Sequence, residues 1–229
     1  MSCLMSMKTY LFVGGNSEIA LSARMLLEKR GDRVISISRT PNEHFSDFHT
    51  GDPVSNDLPE ISESIDGLVY FPGSITLKPF RSLKPADLQT DYEINVLGAI
   101  NAIQKYSSHM NEGSGIVLFS TVAVQLGMPF HCSVSIAKGA VEGLTRALAA
   151  EFAPKFRVNC IAPSLTKTKL AEKYLSTPEK SEAAAQRHPL KKVGDPLDVA
   201  RSVVFLLEDA QWMTGQVLGV DGGMSRLKV

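Results

Sequence analysis

No sign of charge predominates: twenty-four Lys and Arg face twenty-four Asp and Glu. That balance offers no basic field to draw nucleic acid or an anionic membrane surface, so neither is expected as a partner. Cysteine is scarce. Cys3, Cys132 and Cys160 are odd in number and scattered, which excludes a disulfide framework or a zinc spacing and points to a reducing compartment. No apolar run approaches the roughly 18 residues that a membrane span needs. The stretch from Met1 to Met7 is too short and too poorly organised for a signal peptide. Internal repeats and long linkers are absent as well. The expectation is a disordered leader over 1–6 and a single cytoplasmic domain over 7–229, with 44% hydrophobic and 21% charged residues enough to close one core without staples.

Strand-like and helix-like segments alternate along the chain. Residues 10–13 form a short apolar run closed by Gly14-Gly15, and 19–27 follow with helical periodicity. Further strands are predicted at 34–37, 68–71, 116–119, 157–161 and Val217–Val220. After Pro85, Leu88, Tyr92, Val96, Ala99 and Ile103 recur at steps of three and four and predict one long helix. Val134, Ala137, Val141, Leu144 and Leu148 mark another, and 199–207 a third. Such alternation implies βαβ units, hence a parallel sheet with helices on both faces, and right-handed crossovers leave a doubly wound α/β architecture. Residues 40–64 are the least periodic, so a helix after the second strand is shortened or lost. Residues 167–194 form a polar helical insertion that suits a mobile lid.

Gly14-Gly15-Asn16-Ser17-Glu18-Ile19-Ala20 stands where the first strand turns into the first helix. A helix start attracts a pyrophosphate, glycine permits the tight turn, and Ala20 is small enough for helix–strand packing. An ordinary strand-to-helix turn is the competing reading. Folds that choose NAD commonly place a carboxylate at the end of the second strand. Ser38 stands there instead, followed by Arg39, whose guanidinium suits a 2′-phosphate, so NADP(H) is favoured over NAD(H). A solvated surface arginine is the alternative.

Together with Asn95 in Tyr92-Glu93-Ile94-Asn95-Val96-Leu97-Gly98, Lys138 in Ala137-Lys138-Gly139-Ala140, the block from Arg157 to Pro163, the block from Pro189 to Pro196 and Val220-Asp221-Gly222-Gly223, these residues resemble the short-chain dehydrogenase/reductase family. The resemblance implies a Rossmann-type, doubly wound, parallel seven-stranded sheet in a single domain, a nicotinamide dinucleotide, a small-molecule substrate, and a homodimer or homotetramer. It assigns Gly14, Asn16, Ser17 and Ile19 to the phosphate loop and Asp52 to the adenine. Gly73 ends an element reading Tyr70-Phe71-Pro72-Gly73, and Pro163 and Thr168 border the nicotinamide. Ser164 replaces a usual glycine. Glu18 replaces another, and its carboxylate is expected to turn outward to solvent so as not to repel the pyrophosphate.

The resemblance also implies a catalytic set: a hydroxyl, a tyrosine, a lysine four residues after that tyrosine on the same helix face, and a water-holding asparagine. Lys138, Asn95 and Thr121 fill three of these places. Val134 fills the fourth and has no proton to give. His131 lies seven residues before Lys138, the tyrosine–lysine spacing of enoyl-acyl-carrier reductases, and imidazole is a competent general acid near neutral pH. A helix-start or subunit-surface histidine is the bland alternative, and Tyr174 in the lid is a further candidate. Cys132 and Cys160 read as small apolar residues rather than nucleophiles. The reading is an NADP(H)-dependent oxidoreductase, acting on a carbonyl or alcohol or an activated double bond, with a displaced proton donor. Its rival is a catalytically impaired NADP(H)-binding regulatory or assembly protein. Neither the substrate nor the direction of reaction is legible.

Overall fold

The computed structural model describes residues 7–42 and 45–228; the expected leader over 1–6 lies outside them. Seven parallel strands form one sheet in the order β3-β2-β1-β4-β5-β6-β7. They are β1 (Thr9–Val13), β2 (Arg33–Ser38), β3 (Phe48–Thr50), β4 (Ile65–Tyr70), β5 (Met110–Phe119), β6 (Arg157–Pro163) and β7 (Val217–Val220). This is the doubly wound α/β sheet expected of the chain. The helices are α1 (Glu18–Lys29), α2 (Pro85–Tyr92), α3 (Gly98–Tyr106), α4 (Ala123–Leu126), α5 (Cys132–Phe152), α6 (Pro178–Gln186) and α7 (Pro196–Glu208). β3 has three residues and no helix lies between it and β2 or β4 among the described residues, as the weak periodicity of 40–64 foreshadowed.

Alternate residues of each strand enter opposite layers. Leu11 and Val13 of β1, Ile35 and Ile37 of β2, and Ile116 and Leu118 of β5 join a core completed by α3 and α5. Tyr10 and Phe12, Val34, and Val117 and Phe119 point the other way, into a core shared with α1 and α7. Residues 165–193 contribute a small third cluster of their own, Ala184, Ala185 and Val193 with Leu165 and Leu175. No helix among the described residues is long and apolar enough to cross a membrane, and none of their His, Cys, Asp and Glu side chains group to hold a metal ion.

One predicted element differs. The long helix after Pro85 is interrupted by a π-helical turn over Glu93–Leu97, where the amide of Gly98 bonds the carbonyl of Glu93 five residues back. A wider turn rotates the stripe before it relative to the stripe after it. Tyr92, expected inward, is therefore exposed, and Asp91 is fully buried in its place. The freed carbonyl of Ile94 accepts the hydroxyl of Tyr70 at 2.6 Å. Gly98 belongs there because a Cβ would strike that same hydroxyl.

Candidate active site

The chain doubles back between β1 and β4, the point in an open α/β sheet where ligands settle beyond the carboxyl ends of the strands. At the end of β1, Gly14 adopts φ +81°, and a Cβ on it would lie 2.7 Å from Pro72 Cδ. Only glycine brings the two loops this close. Ser17 caps α1 by accepting the amide of Ala20 at 3.2 Å, while Ile19 faces the neighbouring cavity. Asn16 ties this turn to the end of β2: its amide donates to Ser38 Oγ at 3.3 Å, and its side chain donates to the carbonyl of Thr40 at 2.9 Å. The Ser38 hydroxyl is thus a brace within the turn. Arg39 follows it, exposed to solvent. Asp52 holds its own turn by accepting the amide of Val54 at 2.9 Å.

Glu18 is partly exposed, and its carboxylate accepts the amide of Lys169 at 3.1 Å in a solvent-exposed hydrogen bond, where the helical turn Lys169–Tyr174 begins. The reason is the same one that makes α1 attractive to anions: an unpaired amide at a helix start seeks a negative charge. Here the neighbouring carboxylate supplies it.

On the other side of the switch point lies a cavity of about 500 Å³. Gly73, Thr121, His131, Val134, Lys138, Pro163, Thr168 and Tyr174 all line it. Gly14, Asn16, Ser17, Ser38, Arg39 and Asp52 do not; they form a separate group at the ends of the first three strands. Lys138 is buried and donates to the carbonyl of Phe119 at 2.9 Å. Burial lowers its pKa from 10.5 to about 8, with Cys160 and Asp91 opposing the fall. Asn95 lies behind the cavity wall, and a Cβ on Gly73 would sit 3.3 Å from Asn95 Oδ1 and 3.4 Å from Lys138 Nζ. Gly73 therefore lets those two side chains share one corner.

Two hydroxyls at the end of β5 have different fates. Ser120 donates to Glu142 Oε1 at 2.8 Å and is spent on structure. Thr121 Oγ1 accepts the amide of Ala123 at 3.3 Å, and its proton is given to no other group among the described residues. His131 stands just before α5 with Nδ1 against the carbonyl of Pro129 at 2.7 Å. A carbonyl only accepts, so Nδ1 carries the proton and Nε2 is left for other partners. Val134 is buried one turn before Lys138. The Tyr174 hydroxyl is buried without a partner. Cys160 is buried, and burial pushes its thiol up to about 12, which suits a small apolar core residue rather than a nucleophile.

Sequence spacing missed two polar clusters. Asp91 accepts three hydroxyls, from Ser74 at 2.6 Å, Thr76 at 3.1 Å and Ser133 at 2.6 Å. Asn95 donates back to Ser74 Oγ at 2.9 Å and to the carbonyl of Asp91 at 2.7 Å, so this cluster fixes the asparagine. The second is His188, 2% exposed, whose Nδ1 donates to the carbonyl of Ala184 at 2.8 Å while Nε2 accepts from Ser164 Oγ at 2.8 Å. The replacement of glycine by Ser164 was the available signal, but nothing in the spacing of 24 residues pointed to its partner.

The model of the family described as Enoyl-(Acyl carrier protein) reductase matches residues 47–225. Versicolorin reductase 1 of Aspergillus parasiticus is 33% identical over 67% of this chain and 64% of its own length; the match thus spans under two thirds of that relative. Carbonyl reductase family member 4 of Danio rerio is 30% identical over 93% of this chain and 96% of its own. Among solved structures, ElxO with NADP bound superposes with a TM-score of 0.85 at 27% identity, covering 95% of this chain and 98% of that one.

Proposed function

The chain belongs to the short-chain dehydrogenase/reductase family, and from that premise we propose an NADP(H)-dependent oxidoreductase whose cavity exchanges a hydride with a carbonyl, an alcohol or an activated carbon–carbon double bond. The observation that carries this reading is the convergence of Lys138, Thr121 and His131 on one cavity beside the switch point. A bound dinucleotide would supply the hydride, and the turn of Gly14, Asn16, Ser17 and Ile19 with its positive φ and capped helix start is built to take a pyrophosphate. That ElxO is described with NADP bound supports the choice of cofactor, as does Arg39 at the end of β2.

Each residue then has a task. Asp52 meets the adenine and Arg39 the 2′-phosphate beside Ser38. Gly73, Pro163 and Thr168 line the nicotinamide end. Lys138, still protonated at neutral pH, holds the ribose from a site where its ammonium is poorly hydrated, and Asn95, locked by Asp91 and Ser74, keeps a water beside it. Thr121 donates its free proton to the oxygen on which charge builds up. His131 gives a proton from Nε2 to that oxygen, or to the carbon of the double bond that does not receive the hydride, and regains it from solvent. Val134 takes no part. A homodimer or homotetramer is the expected assembly, read out by light scattering.

Loss of NADPH absorbance over a panel of aldehydes, ketones and enals tests the function. Turnover should fall by about 10²-fold or more in His131→Ala; unchanged turnover would remove His131 from its role. Val134→Tyr, which puts a phenol one turn before Lys138, should raise turnover by about 10²-fold or more. A chain that neither binds nor oxidises NADPH would refute the proposal outright.

A further inference from the structure

The cavity's lining has a sign. None of its residues is Asp or Glu, whereas Lys138, Lys180 and Arg187 all contribute to it, with His131 and His188. The rest of the wall is largely apolar, with Phe71, Phe119, Met128, Leu165 and Leu170 among its members. A chain with equal numbers of acidic and basic residues has thus sorted them locally.

The sorting is sharpest on α6. Lys180, Ala183, Ala184 and Arg187 line the cavity, and steps of three, one and three put them on a single helix face. Glu179, Glu182 and Gln186 fall on another, where Gln186 donates to Glu182 Oε1 at 2.6 Å. The two alanines leave room between the cations. Lys180 Nζ has only the neutral Ser176 Oγ, at 3.1 Å, and the Arg187 guanidinium has no partner among the described residues. Close by in the chain, Tyr174 also lines the cavity, and its hydroxyl is buried without a partner among the described residues. A buried hydroxyl left unpaired is costly, and the cost is removed when a ligand brings an acceptor.

We propose that this cavity takes an apolar molecule bearing a carboxylate, with Arg187 as its principal partner, the Tyr174 hydroxyl as a second donor and Lys180 adding positive potential at the rim. A guanidinium fork matches a carboxylate in two parallel bonds, a phenol donates a third, and the alkyl or aryl body lies along the apolar wall. An alcohol, amide or ester of the same shape would leave the guanidinium without a counter-charge. The inference rests on reading this cavity as the substrate site, and it narrows the substrate class of that site.

Octanoate and octanamide, equal in length and differing in charge, serve as probes in calorimetry on the full chain with and without saturating NADPH. Octanoate should bind about tenfold more tightly than octanamide, the worth of one charge-assisted pair at a partly hydrated rim, and should weaken as salt rises. Arg187→Gln should bring the ratio near unity, Tyr174→Phe should lower it severalfold without changing shape, and Lys29→Gln should leave it intact. NADPH affinity, followed separately by nucleotide fluorescence, should hold in all three. Equal affinity for the two probes, no binding of either, or a preference that survives both Arg187→Gln and Tyr174→Phe overturns the proposal; so does an Arg187→Gln chain that loses NADPH and keeps the preference. If NADPH fails to bind while octanoate is still preferred, the cofactor assignment falls and the carboxylate site stands.

Discussion

Replacing Lys138 by methionine should reverse part of a pH dependence that the native chain carries. The ammonium is buried, and its pKa falls from 10.5 to about 8 because burial disfavours the charged form. Such a displacement corresponds to about 3 kcal/mol against folding whenever the group is charged in both states. Below pH 8 both states hold the proton, so the full cost applies. Between pH 8 and 10.5 the folded chain has released it while the unfolded chain still binds it, and stability rises with pH wherever the unfolded state binds more protons. The native chain should therefore gain about 2–3 kcal/mol relative to Lys138→Met between pH 7 and pH 10.

The difference at a single pH is less informative, because methionine also leaves the Phe119 carbonyl without its donor, a loss of roughly 1–3 kcal/mol. The pH dependence of the difference separates the two effects. Urea unfolding of both chains at pH 7, 8, 9 and 10 measures it. Tyr70, Tyr106 and Cys160 are also displaced upward by burial and destabilise the fold as their unfolded counterparts ionise, but they do so in both chains and cancel. A stability difference that stays flat from pH 7 to 10 would refute the claim of a strained buried ammonium. The same variant should lose NADPH affinity, so that the cost in stability and the gain in binding trace to one atom.

Glu18→Gly should raise NADPH affinity about tenfold at low salt, since a carboxylate no longer faces the pyrophosphate, with the gain shrinking at high salt; fluorescence titration at two ionic strengths reads both, and unchanged affinity would show that the anion does not settle at α1. Arg39→Ala should weaken NADPH about tenfold and leave NADH unaltered, as paired titrations would show. Asp91→Ala strips three hydroxyls of their acceptor and should cost about 2–4 kcal/mol in urea unfolding. Asp91→Asn should recover part of that loss, because its amide oxygen still accepts.

What was legible in the chain was what depends on local period and order. Strand and helix alternation predicted the sheet, and the family resemblance implied that Lys138, Thr121 and His131 would meet: Thr121 follows β5, and His131 and Lys138 stand at the start of α5, beside one cavity. Periodicity could not foresee the π-helical turn. A repeat of three and four assumes an unbroken helix, and one wider turn moved Asp91 inward and Tyr92 out. The fate of Glu18 was hidden for a different reason. Its partner, the amide of Lys169, lies 151 residues away, and an electrostatic rule that predicts where a carboxylate should not point says nothing of which donor will claim it. That contact couples two segments with separate expected tasks: a pyrophosphate arriving at α1 competes with Glu18 for space and field, and releasing Glu18 releases the first amide of the lid. On the proposed function, proteolysis or hydrogen exchange at 167–175 should therefore report NADPH binding in the native chain and lose that response in Glu18→Gly.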